Sequence, residues 1–335
     1  MRKNRWKHLL LCTGIMAAVL AGCGAADKEK TAEGAQTDAR AEAEETKQPG
    51  QQESAQDAES ADGQQESVQD AESAGGKQDG TASADQGAQE VEEGGKKVDL
   101  SGLSMSVMGD SISTFDGWIP EGCAVFFPEN GEVTDVSQTW WHQLMDSTGM
   151  ELCTNASSSG STCVGDSLSI DNPKYGCSDY RVSLLAGSQG KMPDIIIVYM
   201  GINDLLTGAP MGDNDGTQMV NEGEVDTFSD AYSLMLDKLA SVYPISTVYC
   251  CSLTQIGDWG TEQPFVTFVN SQGLTAEDYS ERIRVIAENK GAEVIDLYNC
   301  GIEIDNLQEM TSDGVHLTPE GMKRLAEAME EAIAR

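Results

Sequence analysis

Near the middle of the chain, Asp194-Ile195-Ile196-Ile197-Val198-Tyr199-Met200 leaves few options for the fold. After the opening aspartate the run is apolar without alternation. A strand with one wet face alternates apolar and polar side chains, so this one has to be covered on both faces, as in the centre of a parallel sheet. Parallel neighbours cannot be joined by tight turns and need crossovers, usually helices.

The surrounding sequence supplies them. Strands are predicted over 103–108, 151–155, 247–253 and 293–297, besides 194–200. Helices are predicted over 137–147, with Trp140, Trp141, Leu144 and Met145 on one side, and over 228–242. Thr275 caps a further helix, whose stripe is Tyr279, Ile283, Ile286 and Ala287 and which Gly291 ends. Thr318-Pro319 opens the last helix, with Met322, Leu325, Ala326, Met329 and Ile333 as its buried face. Five strands interleaved with helices predict an α/β protein: a three-layer α/β/α sandwich around a five-stranded, doubly wound parallel sheet. In such sheets the functional groups gather at the carboxyl ends of the strands.

Only residues 98–335 have the composition for that core. Arg2, Lys3, Arg5 and Lys7 precede an apolar run over 9–20, too short for a comfortable membrane span and closed by small residues, as in an export signal. Leu20-Ala21-Gly22-Cys23 resembles a bacterial lipobox, which implies cleavage after residue 22, a lipid on Cys23 and tethering outside the cytoplasmic membrane. Residues 23–97 are rich in Ala, Glu, Gln, Asp, Ser and Gly and contain a near-duplicate segment, 50–61 recurring as 63–74. With so little apolar surface to bury, they predict a disordered acidic stalk. The net charge of −35 argues against nucleic acid and anionic surfaces as partners.

Two short pieces carry chemistry. Gly109-Asp110-Ser111 follows the first strand, and Asp313-Gly314-Val315-His316 places a carboxylate three residues before a histidine. A serine becomes a nucleophile with a base beside it, and the base needs an orienting partner. Of the chain's three histidines, His8 lies in the export segment and His142 in an amphipathic helix, so His316 is the candidate base. Asp313 is its orienting carboxylate.

Four blocks in order resemble the SGNH, or GDSL-type, hydrolase family over essentially the whole folded region. They are Gly109-Asp110-Ser111-Ile112, Asn155-Ala156-Ser157-Ser158-Ser159-Gly160, Gly201-Ile202-Asn203-Asp204 and Asp313-Gly314-Val315-His316. Two positions depart from the family pattern: Ile112 stands where leucine is usual, and Ser157 where the second block has its first glycine. The resemblance implies a flavodoxin-like fold and an acyl-enzyme on Ser111. It also implies an oxyanion hole built from the Ser111 and Gly160 amides and the Asn203 side chain. Asp110 and Asp204 are expected to brace turns rather than to react.

This chemistry calls for no cofactor or metal. Asp213-Asn214-Asp215-Gly216 lacks the ligand spacing of a calcium loop and predicts an acidic turn. Two long connections, after Ser111 and over 254–274, bring aromatic side chains towards the same sheet edge. Trp118, Phe126, Phe127 and Trp259 are the substrate-binding candidates among them. The expected activity is hydrolysis of short, chiefly acetyl, esters on carbohydrate. A lipid-directed esterase or lysophospholipase, or a glycan-binding lipoprotein without turnover, are the alternatives. Beyond Cys12 and Cys23, an odd set of cysteines remains (Cys123, Cys153, Cys163, Cys177, Cys250, Cys251 and Cys300), for which no pairing is assigned.

Overall fold

The computed structural model describes residues 98–258 and 264–335. The expectations for residues 1–97, Cys23 among them, and for Trp259 lie outside the described residues.

Seven strands and seven α-helices follow in chain order among the described residues. They are β1 Ser104–Gly109, α1 Trp140–Thr148, β2 Glu151–Asn155, β3 Gly165–Asp166, α2 Asp179–Ser183, β4 Ile195–Tyr199 and α3 Ile202–Thr207, then β5 Glu224–Val225, α4 Phe228–Val242, β6 Thr247–Cys251, α5 Ala276–Lys290, β7 Glu293–Ile295, α6 Leu307–Met310 and α7 Pro319–Ile333. The main sheet has five strands in the order β2-β1-β4-β6-β7, every pairing parallel. β3 and β5 form a separate antiparallel ribbon.

Every residue of β4 is buried, which is why its sequence does not alternate. The helices pack in two groups, α1 with α7 and α4 with α5 and α2, as expected for the two faces of a doubly wound sheet. From β1 the chain first adds β2 on one side and then crosses to β4 on the other. The sheet therefore has its switch point between β1 and β4, where open α/β sheets place their sites.

Local chemistry sets the helix ends. The expected helix over 137–147 begins at Trp140. Asp135 and Gln138 close a capping box around a separate 3-10 turn at Val136–Gln138, and Thr139 then caps α1 with its hydroxyl. Thr318 caps α7 by accepting from the Gly321 amide, with Pro319 in its first turn, as the sequence predicts. The 213–216 segment is a pair of side-chain-capped turns: Asn214 accepts from Gly216 N, and Asp215 from Thr217 N. All seven described cysteines are unpaired, five of them buried. Burial pushes the Cys250 thiol up to about 12.

Candidate active site

The β1 strand ends at Gly109, paired with Tyr199 at the end of β4. Asp110 then caps a 3-10 turn over Ser111–Ser113 by accepting from Ile112 N at 3.1 Å. The turn packs too tightly for a side chain at position 109, where a Cβ would lie 2.5 Å from Ser113 Oγ. Four groups brace it. Trp140 Nε1 donates to Ser113 Oγ, and Trp141 Nε1 and Asn155 Nδ2 both donate to Ser113 O. Thr114 Oγ1 donates to Ser111 O. Ser111 thus opens a short helical turn on a braced strand end, where the first amides have no partner within the turn.

The histidine arrives from the other end of the chain. Asp313 Oδ1 accepts from Val315 N at 3.0 Å and from His316 N at 2.8 Å, which curls residues 313–316 back on themselves. Its second oxygen then lies 2.8 Å from His316 Nδ1. His316 Nε2 lies 3.0 Å from Ser111 Oγ, across 205 residues of sequence. Ser111, Asp313 and His316, the three residues expected from sequence, therefore form one hydrogen-bonded relay. With Nδ1 donating to the carboxylate, Nε2 is the acceptor for the serine proton. Burial alone would raise the Asp313 carboxyl. The hydrogen bond and charge of His316, with the two backbone amides, outweigh it and leave Asp313 below its ordinary value.

The expected oxyanion donors sit on the two neighbouring segments. The chain leaving β2 runs beside β1, with Ser158 N donating to Gly109 O. It turns at Gly160, whose φ of +71° suits glycine, and a Cβ there would meet open space. Asn203 lies in the first turn of α3, which begins directly after β4. Its Nδ2 is buried and finds no hydrogen-bond partner among the described residues. A buried donor left unmatched costs free energy unless something else supplies the acceptor.

Three buried charges hold these pieces in register. Asp204 accepts from Cys163 N and Val164 N, tying the segment after Gly160 to α3. Burial pushes its carboxyl up to about 7 against the pull of those amides. Burial likewise raises Asp110 to about 6, with Ile112 N and the charges of His316 and Arg181 pulling the other way. Sequence reasoning missed Arg181. Its guanidinium is fully buried, donates to Gly109 O at 2.9 Å and is brought down to about 10 by desolvation. An arginine within a five-residue helix carries no signal that it reaches under a distant strand.

The aromatic candidates divide. Trp118 is exposed and leans on Trp141 and His142 of α1, with ring centroids 5.6 and 6.1 Å away. His142 itself pairs with Asp146 one turn on, away from the relay. Phe127 corrects the expectation of a substrate contact: it is fully buried in the core, out of reach of any ligand. Phe126 is half-buried, and its ring is taken up by His316, at a centroid separation of 3.7 Å. Phe126 thus stays at the site, beside the candidate base, and Phe127 does not.

A sequence model of the GDSL-like lipase/acylhydrolase family matches residues 103–264, which include Ser111, Gly160 and Asn203. The hydrogen bonds above add His316 and Asp313 from beyond that stretch. No functionally curated protein matches the chain. Among solved structures, a protein assigned as a GDSL-like lipase from Bacteroides ovatus is 25% identical, with a TM-score of 0.50 over 69% of this chain and 97% of that one. A protein from Lactobacillus plantarum is similar in fold, at 19% identity and a TM-score of 0.51 over 69% of this chain and 96% of that one. The first three family blocks fall at the carboxyl ends of β1, β2 and β4 and the fourth reaches the first through the His316–Ser111 contact, and on that agreement the chain belongs to the family of GDSL-like lipases and acylhydrolases, enzymes that hydrolyse esters.

Proposed function

We propose that this chain is a serine esterase that removes short acyl groups, chiefly acetyl, from carbohydrate outside the cytoplasmic membrane, tethered through a lipid on Cys23. The observation that carries the catalytic part is the relay: Ser111 Oγ 3.0 Å from His316 Nε2, and His316 Nδ1 2.8 Å from Asp313.

In this reading His316 takes the Ser111 proton as Oγ attacks the acyl carbon. The carbonyl oxygen gains the charge and is met by the amides of Ser111 and Gly160 and by Asn203 Nδ2. His316 returns the proton to the leaving alkoxide, and water then releases the acyl group by the same steps. Asp313 holds the ring in the required tautomer throughout.

Ser111 is 7% exposed and His316 5%. Both residues are recessed, which supports a small acyl group over a long chain. The exposed Trp118 supports a sugar-facing role, because an open indole face stacks on apolar ring faces. The leader, the lipobox-like Leu20-Ala21-Gly22-Cys23 and the acidic segment behind it support an extracytoplasmic address.

The test is hydrolysis of p-nitrophenyl esters from acetate to long chains, with Ser111→Ala beside the wild type. Rates that peak at acetate and vanish in the variant are expected, followed by acetate release from acetylated polysaccharide. A long-chain optimum would move the substrate to lipids. Equal rates in two folded proteins would remove the serine mechanism.

A further inference from the structure

The ring of Phe126 lies flat on that of His316, with planes within 9° and centroids 3.7 Å apart. Phe127 meets Phe126 edge-on from the core at 4.8 Å and backs it on another side. The backbone here is fastened to the site at several points. Phe126 N donates to Thr114 Oγ1, and that same hydroxyl donates to Ser111 O. Ala124 N donates to Ser158 Oγ, and Ser159 N donates to Ala124 O, just before Gly160. Asp116 N donates to Phe127 O, closing the base of the loop. A closed circuit results: from Ser111 Oγ through His316 to the Phe126 ring, then back through Phe126 N and Thr114 to Ser111 O.

We propose that Phe126 is a positioning residue for the relay: it fixes the plane of the His316 ring and presents its π face to the imidazolium formed when Ser111 attacks. The inference rests on the reading of Ser111, His316 and Asp313 as the catalytic relay. The hydrogen bonds to Asp313 and Ser111 fix the imidazole within its own plane but resist tilting out of it only weakly. A flat ring at van der Waals distance blocks that tilt. A cation over an aromatic face is attracted by the ring quadrupole within about 6 Å of the centroid, whereas a neutral ring gains little beyond dispersion. The stack therefore favours the protonated histidine, the state that exists between removal of the serine proton and its delivery to the leaving group.

Other charges lie on the segments around His316 and stay in place when the ring is changed. Asp313 is on its own turn. Asp110, from the turn after β1, feels the charges of both His316 and Arg181. Asp258 follows Gly257, whose amide donates to Gly314 O within the histidine turn. A change in titration on altering Phe126 is therefore read beside the Hε1 shift, which reports the stack itself.

The test uses the full chain as wild type, Phe126→Leu and Phe126→Tyr. Two readouts are taken: the pH profile of p-nitrophenyl acetate hydrolysis, and the NMR titration of the His316 ring, assigned by its loss in His316→Gln. In Phe126→Leu the His316 Hε1 signal is expected to lose its ring-current shift and the titration midpoint to fall. The acid limb of kcat/KM should move down with it, and kcat should fall on the order of tenfold from looser positioning. Phe126→Tyr keeps the face and should restore all of these. Phe126→Met, which keeps an apolar side chain there and removes the ring, should shift the same quantities in the same direction and serves if Phe126→Leu does not fold. An unmoved midpoint in a folded Phe126→Leu, or a change in KM alone, would overturn the inference. A wild type without turnover would overturn it together with the relay reading. An active wild type matched by Phe126→Leu at every pH would overturn this inference alone.

Discussion

Replacing Asn203 by alanine separates chemistry from folding more cleanly than any other change at the site. Its Nδ2 is buried and donates to no described group, so the substitution breaks no hydrogen bond in the resting protein. An unmatched buried donor costs about 1–3 kcal/mol, which alanine relieves. Against that stands the loss of three heavy atoms from a half-buried side chain on a six-residue helix, worth about 1 kcal/mol in packing. The two nearly cancel, so the thermal midpoint of Asn203→Ala should stay within a few degrees of wild type or rise slightly. The transition state fares differently. There Nδ2 would gain a charged acceptor in a water-poor site, and losing such a donor typically raises the barrier by about 2.7–4 kcal/mol. Turnover should therefore fall roughly 100- to 1,000-fold with little change in KM, since the ground-state carbonyl uses the donor weakly. Steady-state kinetics on p-nitrophenyl acetate with parallel thermal melts measures both. A turnover loss under fivefold, or a stability loss that accounts for the inactivity, would refute the reasoning.

The remaining expectations follow from the same geometry. Asp313→Asn removes the carboxylate that fixes the His316 tautomer, so kcat should fall roughly 10³- to 10⁴-fold, with Ser111 and His316 still present; single-turnover kinetics would show it. Gly160→Ala meets open space rather than a clash, so its cost is backbone strain at φ +71°, about 1–2 kcal/mol, seen as a lower urea midpoint beside a reduced kcat. Asp110, held up at about 6 by burial, binds its proton more tightly folded than unfolded, where the value is near 4. Its contribution to stability is therefore greatest below about pH 4 and declines as pH climbs towards 6, by about 3 kcal/mol in all. Urea denaturation at several pH values should give a flatter profile for Asp110→Asn than for wild type, and parallel profiles would contradict the assignment.

What could be read from the sequence was whatever a local pattern forces. The β4 run and the capped helices α4, α5 and α7 came through with their bounds nearly intact, because periodicity and end signals lie within each segment. The serine turn and the Asp313–His316 pair were legible for the same reason. α3, only six residues with glycine on either side, is too short for any period to register, although its Asn203 was visible as part of a block. Within the aromatic loop Phe127 was misread. Phe126 and Phe127 are adjacent in sequence, yet one caps the histidine and the other fills the core, a division made by the tethers to Thr114 and Ser158. Nothing in an aperiodic loop encodes which ring faces which way.

The buried charges explain why the family blocks contain aspartates that do no chemistry. Asp110, Asp204 and Arg181 are all fully buried, and no salt bridge joins them to one another among the described residues. Burying each charge costs several kcal/mol before its hydrogen bonds are counted, so stability alone gives no reason to keep them. Each instead grips backbone at a point the relay depends on: Asp110 the amide after Ser111, Arg181 the carbonyl of Gly109, and Asp204 two amides just beyond Gly160. The candidate nucleophile and oxyanion donors come from three separate segments of the chain, and a displacement of 1 Å in any of them can cost about 100-fold in rate. Apolar side chains could fill the same space but could not fix an amide or a carbonyl at one distance. The charges are best understood as the cost of holding donors still before the substrate arrives, which is where electrostatic catalysis draws its advantage over water.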